Sequence, residues 1–246
     1  MAEFRIKIAG KTAAVRSLFD STRDYCRAYL TEEQEDFSLA VSREDLAFEQ
    51  EELRQEAIEE GIRIRVFTDP FLDRAAIQRK VAENLLSDGV LLFHGSAVAL
   101  DGEGYLFTAD CGTGKSTHTR FWRQVFGDRA VMINDDKPFL KLTDTGVLVC
   151  GAPWSGKHGL DSNITVPLKG ICILRRGSED RIRPVSPEAA MPMLRKQACP
   201  PRDPEDMALW HSLVDKLSIS VPLWEMECTK NENAALVSHA AMKKGG

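Results

Sequence analysis

The sequence predicts an α/β protein with a small α+β domain at its N-terminus. Three observations carry this. The apolar run Tyr105-Leu106-Phe107, the loop Ala109-Asp110-Cys111-Gly112-Thr113-Gly114 and the helix-opening Lys115-Ser116-Thr117 follow one another directly. Stretches of alternating apolar residues are interleaved with stretches of helical period along the whole chain. The first 88 residues hold no cluster of candidate chemistry, whereas from Val90 the texture turns to strands. The expected domains are therefore residues 1–88 and 89–246.

Taken in order, Glu3–Ile8 alternates and reads as a strand, and Thr12–Tyr29 reads as a helix with Val15, Leu18 and Phe19 on one face. Phe37, Leu39 and Val41 predict a second strand. Ser42 followed by Asp45 predicts a capping box for an acidic helix reaching about Glu60, with Leu46, Leu53 and Ala57 buried, a solvated glutamate face and Gly61 as its stop. Ile62, Ile64 and Val66 predict a short strand. Asp69-Pro70 opens a helix with proline in its first turn, and Ile77, Val81 and Leu85 give that helix one apolar face up to Gly89.

Val90–Leu100 reads as one apolar strand carrying His94-Gly95, turned back by Asp101-Gly102-Glu103-Gly104. A helix follows from Lys115 to about Phe126. The strand Ala130–Ile133 then delivers Asn134-Asp135-Asp136, and a parallel neighbour would bring its end beside the loop. Phe139–Leu142 and Val147–Cys150 read as a hairpin. Beyond the glycine-rich Gly151–Gly159, Leu168–Leu174 is a buried strand ending in Arg175-Arg176. Pro187–Gln197 is a helix bent at Pro192, Pro204–Leu217 a second, Leu223–Cys228 a strand and Asn231–Lys244 a terminal helix.

Composition sets bounds on partners. The net charge is −5 and the pI about 5.6. Lys and Arg are scattered without a basic tract, which argues against nucleic acid as the main partner. No apolar run has the ~20 residues of a membrane span, and the N-terminus lacks a signal-peptide pattern, so a soluble cytoplasmic protein is expected. The six cysteines, widely spaced and without a C-x-x-C pair, read as reduced thiols rather than a zinc site.

The loop carries the chemistry. Gly112 and Gly114 let the backbone turn sharply and approach a ligand. The amides from Asp110 to Thr117 then point at phosphate oxygens, aided by the free N–H groups at the head of the helix. Lys115 supplies a mobile charge for terminal phosphates, and the Ser116 hydroxyl suits Mg²⁺. The pattern is that of a nucleotide phosphate loop, with Ala109 in place of its usual first glycine. A bound Mg²⁺ needs a carboxylate as well, and the pair Asp135-Asp136 offers one for the metal and one to act on an acceptor. Arg175 and Arg176, then Lys157 and His158, are further cations for the phosphate charge. Trp154 in the same loop is a candidate contact or a packing residue, and Cys111 is a thiol at a helix head.

His94-Gly95, the hairpin, Asp110-Cys111-Gly112-Thr113-Gly114-Lys115-Ser116 and Asp135-Asp136, in this order and at this spacing, resemble the catalytic domain of HPr kinase/phosphorylase. More distantly they are similar to ATP-dependent phosphoenolpyruvate carboxykinase. The match is good over Leu92–Asp136 and loose over Gly151–Leu174. The resemblance implies a mixed sheet around the phosphate loop, His94 close to the transferred phosphoryl group, Asp136 on the metal and Asp135 as general base. It implies ATP and Mg²⁺ as cofactors. The expected function is a kinase phosphorylating a hydroxyl, serine foremost, on a peptide, protein or small molecule. The alternatives are a nucleotide-binding regulatory module without turnover and, further off, a carboxykinase-type enzyme. Assembly into a homo-oligomer is left open.

Overall fold

The structure, a computed structural model, describes residues 1–59, 61–156 and 158–244. The chain forms two compact units, Met1–Leu85 and Leu86–Gly246.

In the first unit, β1 (Ala2–Ile8) and β2 (Lys11–Ser17) form an antiparallel hairpin, with Ile8 opposite Lys11 and Ala2 opposite Ser17. Its two-residue turn, Ala9-Gly10, has both residues at positive φ, 51° and 84°. That turn geometry fits the right-handed twist of paired strands. The helix expected over Thr12–Tyr29 is therefore a strand as far as Ser17, followed by the short α1 (Asp20–Tyr25) and a 3-10 turn over Arg27–Tyr29. Ala13, Val15 and Ser17 turn inward at period two. The Ser17 hydroxyl and the Leu18 amide both donate to the fully buried Asp73, at 2.7 and 2.9 Å.

β3 (Phe37–Ala40) adds parallel to β2, giving the order β1-β2-β3. The capping box at α2 (Arg43–Glu59) forms as read: the Ser42 amide donates to Asp45 at 2.8 Å and the Asp45 amide to Ser42 Oγ at 3.2 Å. The strand expected at Ile62–Val66 pairs with no strand among the described residues, and its three apolar side chains are exposed. In α3 (Asp69–Leu85), Ile77, Val81 and Leu85 are fully buried. A cleft of about 740 Å³ crosses the outer face of this sheet beside Arg5, Arg16 and Arg23; it contains none of the candidate residues.

The second unit is a curled mixed sheet between two helical layers. Its elements are β4 (Val90–Leu92), β5 (Ser96–Leu100), β6 (Glu103–Thr108), α4 (Lys115–Phe126), β7 (Ala130–Asn134), β8 (Phe139–Thr143), β9 (Gly146–Cys150), β10 (Thr165–Arg176), β11 (Arg181–Pro184), α5 (Pro187–Gln197), α6 (Met207–Ser220), β12 (Leu223–Cys228) and α7 (Asn233–Met242). The main path runs β4-β8-β9-β10-β6-β5-β7, and β12 joins β10 and carries β11. β11 was not legible in the sequence. Tyr105 and Phe107 pack on the side of Trp122 from α4 and Ala234 from α7. Leu106 between them faces Leu194 of α5 and Val214 of α6. This is the alternation of a strand buried on both faces.

Two expectations are corrected here. Val90–Leu100 is not one strand: β4 pairs with β8, while β5 pairs with β6 and β7. Between them Phe93, His94 and Gly95 turn their amides to Pro138, Gln197 and Asp136 carbonyls at 3.1, 2.7 and 2.9 Å. The strand breaks because these donors are taken by two other segments, 136–138 and the end of α5. Second, the sheet neighbour of β7 is antiparallel, namely β5. With β5 antiparallel also to β6, β6 and β7 still run in one direction, with β5 between them. β10 and β12 share that direction. The C-terminal ends of four strands thus open onto one edge of the sheet.

Candidate functional site

At that edge the chain leaves β6 through the loop 109–114. Gly112 and Gly114 have φ of 69° and 124°, values at which an L side chain is strained. The Thr113 amide donates to Asp110 O at 3.2 Å, and the His118 amide to Gly114 O at 2.9 Å, which closes the first turn of α4. Lys115 Nζ folds back onto the Ala109 carbonyl at 3.1 Å. Cys111 and Ser116 are exposed, and Thr117 is half-buried.

Two cations reach the loop from outside it. Arg176, at the end of β10, donates to Gly112 O at 2.6 Å. Lys196, from the last turn of α5, pairs with Asp110 at 2.7 Å, and this hydrogen bond holds the Asp110 carboxyl below its usual range. Arg175 instead pairs with Glu225. His158 is exposed, and Lys157 lies outside the described residues.

The end of β7 delivers the carboxylate pair. Asp135 is buried, and one of its oxygens accepts the Ser96 hydroxyl at 3.0 Å; Ser96 in turn meets the Thr119 hydroxyl of α4 at 2.8 Å. Asp136 points elsewhere and is half-exposed, with its Oδ1 3.7 Å from His94 Nε2. By distance alone this resembles an ion pair. However, burial, reinforced by the nearby Lys115 and Lys137 charges, brings the His94 pKa down to about 3. The imidazole is therefore neutral at neutral pH, and the contact is one between a neutral ring and a carboxylate.

Asn134 organises the turn that separates the two acids. Its side-chain oxygen accepts the Asp136 and Lys137 amides at 2.9 and 2.8 Å. Its amide nitrogen donates to Ala152 O and Trp154 O at 2.8 and 3.2 Å. That pins the 151–156 segment over the site, where a Cβ on Gly156 would lie 3.5 Å from Asp136 Cβ. Trp154 is buried and packs edge-on against Phe139. Its indole nitrogen has no hydrogen-bond partner among the described residues.

The structure thus gathers His94, the loop 110–117, Asp135, Asp136 and Arg176 at one edge. Sequence reasoning missed Ser96, Thr119, Asn134, Lys137 and Lys196. Ser96 directly follows His94-Gly95, which was a usable signal. Lys196 had none, because a lysine in the last turn of an amphipathic helix reads as a solvated face.

No protein-family model matches this sequence, and no curated protein does. Among solved structures, the chain is similar to the Hpr(Ser) kinase/phosphatase from Coxiella burnetii, at 12% identity and a TM-score of 0.39, over 62% of this chain and 88% of that one. No described helix is long and apolar enough to cross a membrane.

Proposed function

We propose that residues 89–246 form the catalytic domain of an ATP- and Mg²⁺-dependent kinase that phosphorylates a hydroxyl on a peptide, protein or small molecule. The observation that carries this reading is the convergence at one sheet edge of a glycine loop with Lys115 folded over it and a carboxylate pair whose members face different partners. Lys115 and the amides of residues 110–117 would hold the phosphates. Among the described residues no three His, Cys, Asp or Glu side chains converge on a metal position. The exposed Ser116 hydroxyl and one carboxylate fit Mg²⁺, which takes few protein ligands and shares phosphate oxygens and water. When bound, the ion neutralises phosphate charge.

The surroundings of the two acids favour a division opposite to the one the resemblance implies. Asp135 faces α4 through Ser96 and Thr119, one turn along that helix from Ser116. It is the better metal-side ligand. Asp136 is half-exposed beside neutral His94 and is the better general base. The acceptor oxygen forms a bond to the γ-phosphorus, the bond to the β–γ bridging oxygen breaks, and Asp136 takes the acceptor proton. His94 orients that carboxylate, and Arg176 and Lys196 offset the charge of the phosphates. Incubating the protein with γ-labelled ATP and candidate hydroxyl acceptors, with and without Mg²⁺, tests the reading. ATP binding without any Mg²⁺-dependent transfer would support the regulatory-module alternative instead.

A further inference from the structure

Ser96 and Thr119 are buried hydroxyls, 0% and 1% exposed, and neither belongs to the loop 109–114. Ser96 opens β5. Ala97 pairs with Asn134 across the antiparallel β5–β7 ladder, which sets Ser96 beside Asp135, just past the end of β7. Thr119 lies on α4, three residues after Ser116 and so on the same side of that helix. The side chains form one chain: Thr119 Oγ1 lies 2.8 Å from Ser96 Oγ, and Ser96 Oγ lies 3.0 Å from Asp135 Oδ1.

Proton count fixes which group donates. A hydroxyl carries one proton and a carboxylate none. Ser96 therefore donates to Asp135, and Thr119 donates to Ser96. The alternatives for Thr119 are the carbonyls of Lys115 and Ser116 in its own helix, both 3.4 Å away, which is long for an O–H···O bond. The second oxygen of Asp135 has no hydrogen-bond partner among the described residues. One oxygen of this carboxylate is thus fixed from α4 through two hydroxyls, and the other stays available.

We infer that Ser96 and Thr119 are positioning residues for the metal: they set the Asp135 carboxylate relative to Ser116 before any ion arrives. The inference rests on the proposed Mg²⁺ role of Ser116 and Asp135. Neither Ser96 nor Thr119 touches the ion. Hydrogen-bond partners behind a ligand hold its orientation, and their loss typically weakens a metal site about 10–100-fold. Ser96 acts on Asp135 directly, and Thr119 acts only through Ser96. Without the Thr119 hydroxyl, Ser96 still reaches Asp135 but loses the donor that fixes its own rotamer.

The test measures ATP binding by the full chain in calorimetric titrations with and without Mg²⁺, together with the melting temperature of the unliganded protein. Ser96→Ala should raise the Mg²⁺ concentration that gives half of the gain in ATP affinity by about tenfold, and Thr119→Val by a smaller factor. ATP affinity without Mg²⁺ should match the wild type in both. Thr119→Ser separates positioning from packing, because it keeps the hydroxyl and removes a buried methyl, whereas Thr119→Val does the reverse. Thr119→Ser should lower the melting temperature and retain the wild-type Mg²⁺ dependence. Should Ser96→Ala not fold, the two Thr119 variants decide alone. Three results would overturn the inference: an unchanged Mg²⁺ dependence in Ser96→Ala or in Thr119→Val, an effect of Thr119→Ser on that dependence as large as that of Thr119→Val, or a loss of affinity of equal size with and without Mg²⁺. A wild type whose ATP binding ignores Mg²⁺ would instead overturn the metal reading of Ser116 and Asp135, and this inference with it, so the two failures are told apart by the wild-type titration.

Discussion

Asp135 and Asp136 are consecutive in the chain yet serve different neighbours: Asp135 accepts the Ser96 hydroxyl at 3.0 Å, while Asp136 lies 3.7 Å from the His94 ring. Their variants should therefore fail differently. Asp136→Asn should lower the single-turnover phosphoryl-transfer rate by about 10²–10⁴-fold while leaving the Mg²⁺ dependence of ATP binding nearly intact. Asp135→Asn should raise the Mg²⁺ concentration needed for turnover. Equal and mild effects of both substitutions on both quantities would remove the case for a divided pair. The opposite pattern would restore Asp135 as the base.

Lys115 is held against its own loop by the Ala109 carbonyl, and its charge is what a terminal phosphate would claim. Lys115→Ala should weaken ATP binding about tenfold or more in a calorimetric titration. The circular dichroism spectrum should be unchanged, since the hydrogen bond to Ala109 O is only half-buried. Unaltered affinity in the folded variant would count against the phosphate-loop reading.

The Asp110–Lys196 pair is exposed on both sides, at 60% and 58% of the side chain for Lys196 and Asp110. Breaking it should change folding stability by less than about 1 kcal/mol. Its effect on nucleotide should be larger and of opposite sign for the two partners. Lys196→Ala removes a cation from the loop mouth and should raise the ATP dissociation constant several-fold. Asp110→Asn removes an anion and should lower it. Chemical denaturation alongside ATP titration separates the two effects, and a parallel loss of affinity in both variants would refute this role for Lys196.

His118, on the inner side of α4, is buried against Phe107 and shares the Ser238 hydroxyl with Trp122. Burial brings its pKa down to about 4, against 6.5 in an ordinary setting. His94 is lowered in the same way, to about 3. Between these values and pH 6.5 the unfolded chain binds protons that the folded chain refuses, so stability falls as pH falls. Each such histidine contributes a slope of about 1.4 kcal/mol per pH unit in that window. His118→Gln should flatten the decline in unfolding free energy between pH 6 and about pH 4.5. An unchanged slope would mean that His118 does not titrate as its burial dictates.

Much of this architecture is legible because local chemistry and packing agree. α4 and α5 run over Lys115–Phe126 and Pro187–Gln197, the expected spans, since glycine or a serine cap at one end and an apolar stripe leave little freedom. The candidate loop residues 110–117 stand out in the sequence because glycine and lysine at that spacing have few other uses. The failures share a cause, which is dependence on distant segments. Thr12–Tyr29 has apolar residues at helical spacing, but Ala9-Gly10 turns the chain into a hairpin, and Asp73, far along the sequence, fixes Ser17. The break at His94 depends on carbonyls of Asp136, Pro138 and Gln197, none of which Val90–Leu100 announces. Ser96 and Lys196 owe their place at the site to the same long-range arrangement.

The mounting of the loop has a mechanical consequence. β6 is hydrogen-bonded on both edges, to β5 and to β10, and its residues 104–108 are buried. It is the fixed post of the site. Asp110, Gly112 and Asp136, by contrast, meet their outside partners through single side chains or short segments, from α5, the end of β10 and the 151–156 stretch. Whatever the loop holds is therefore registered against the sheet itself, while α5 and the end of β10 reach it only through the side chains of Lys196 and Arg176.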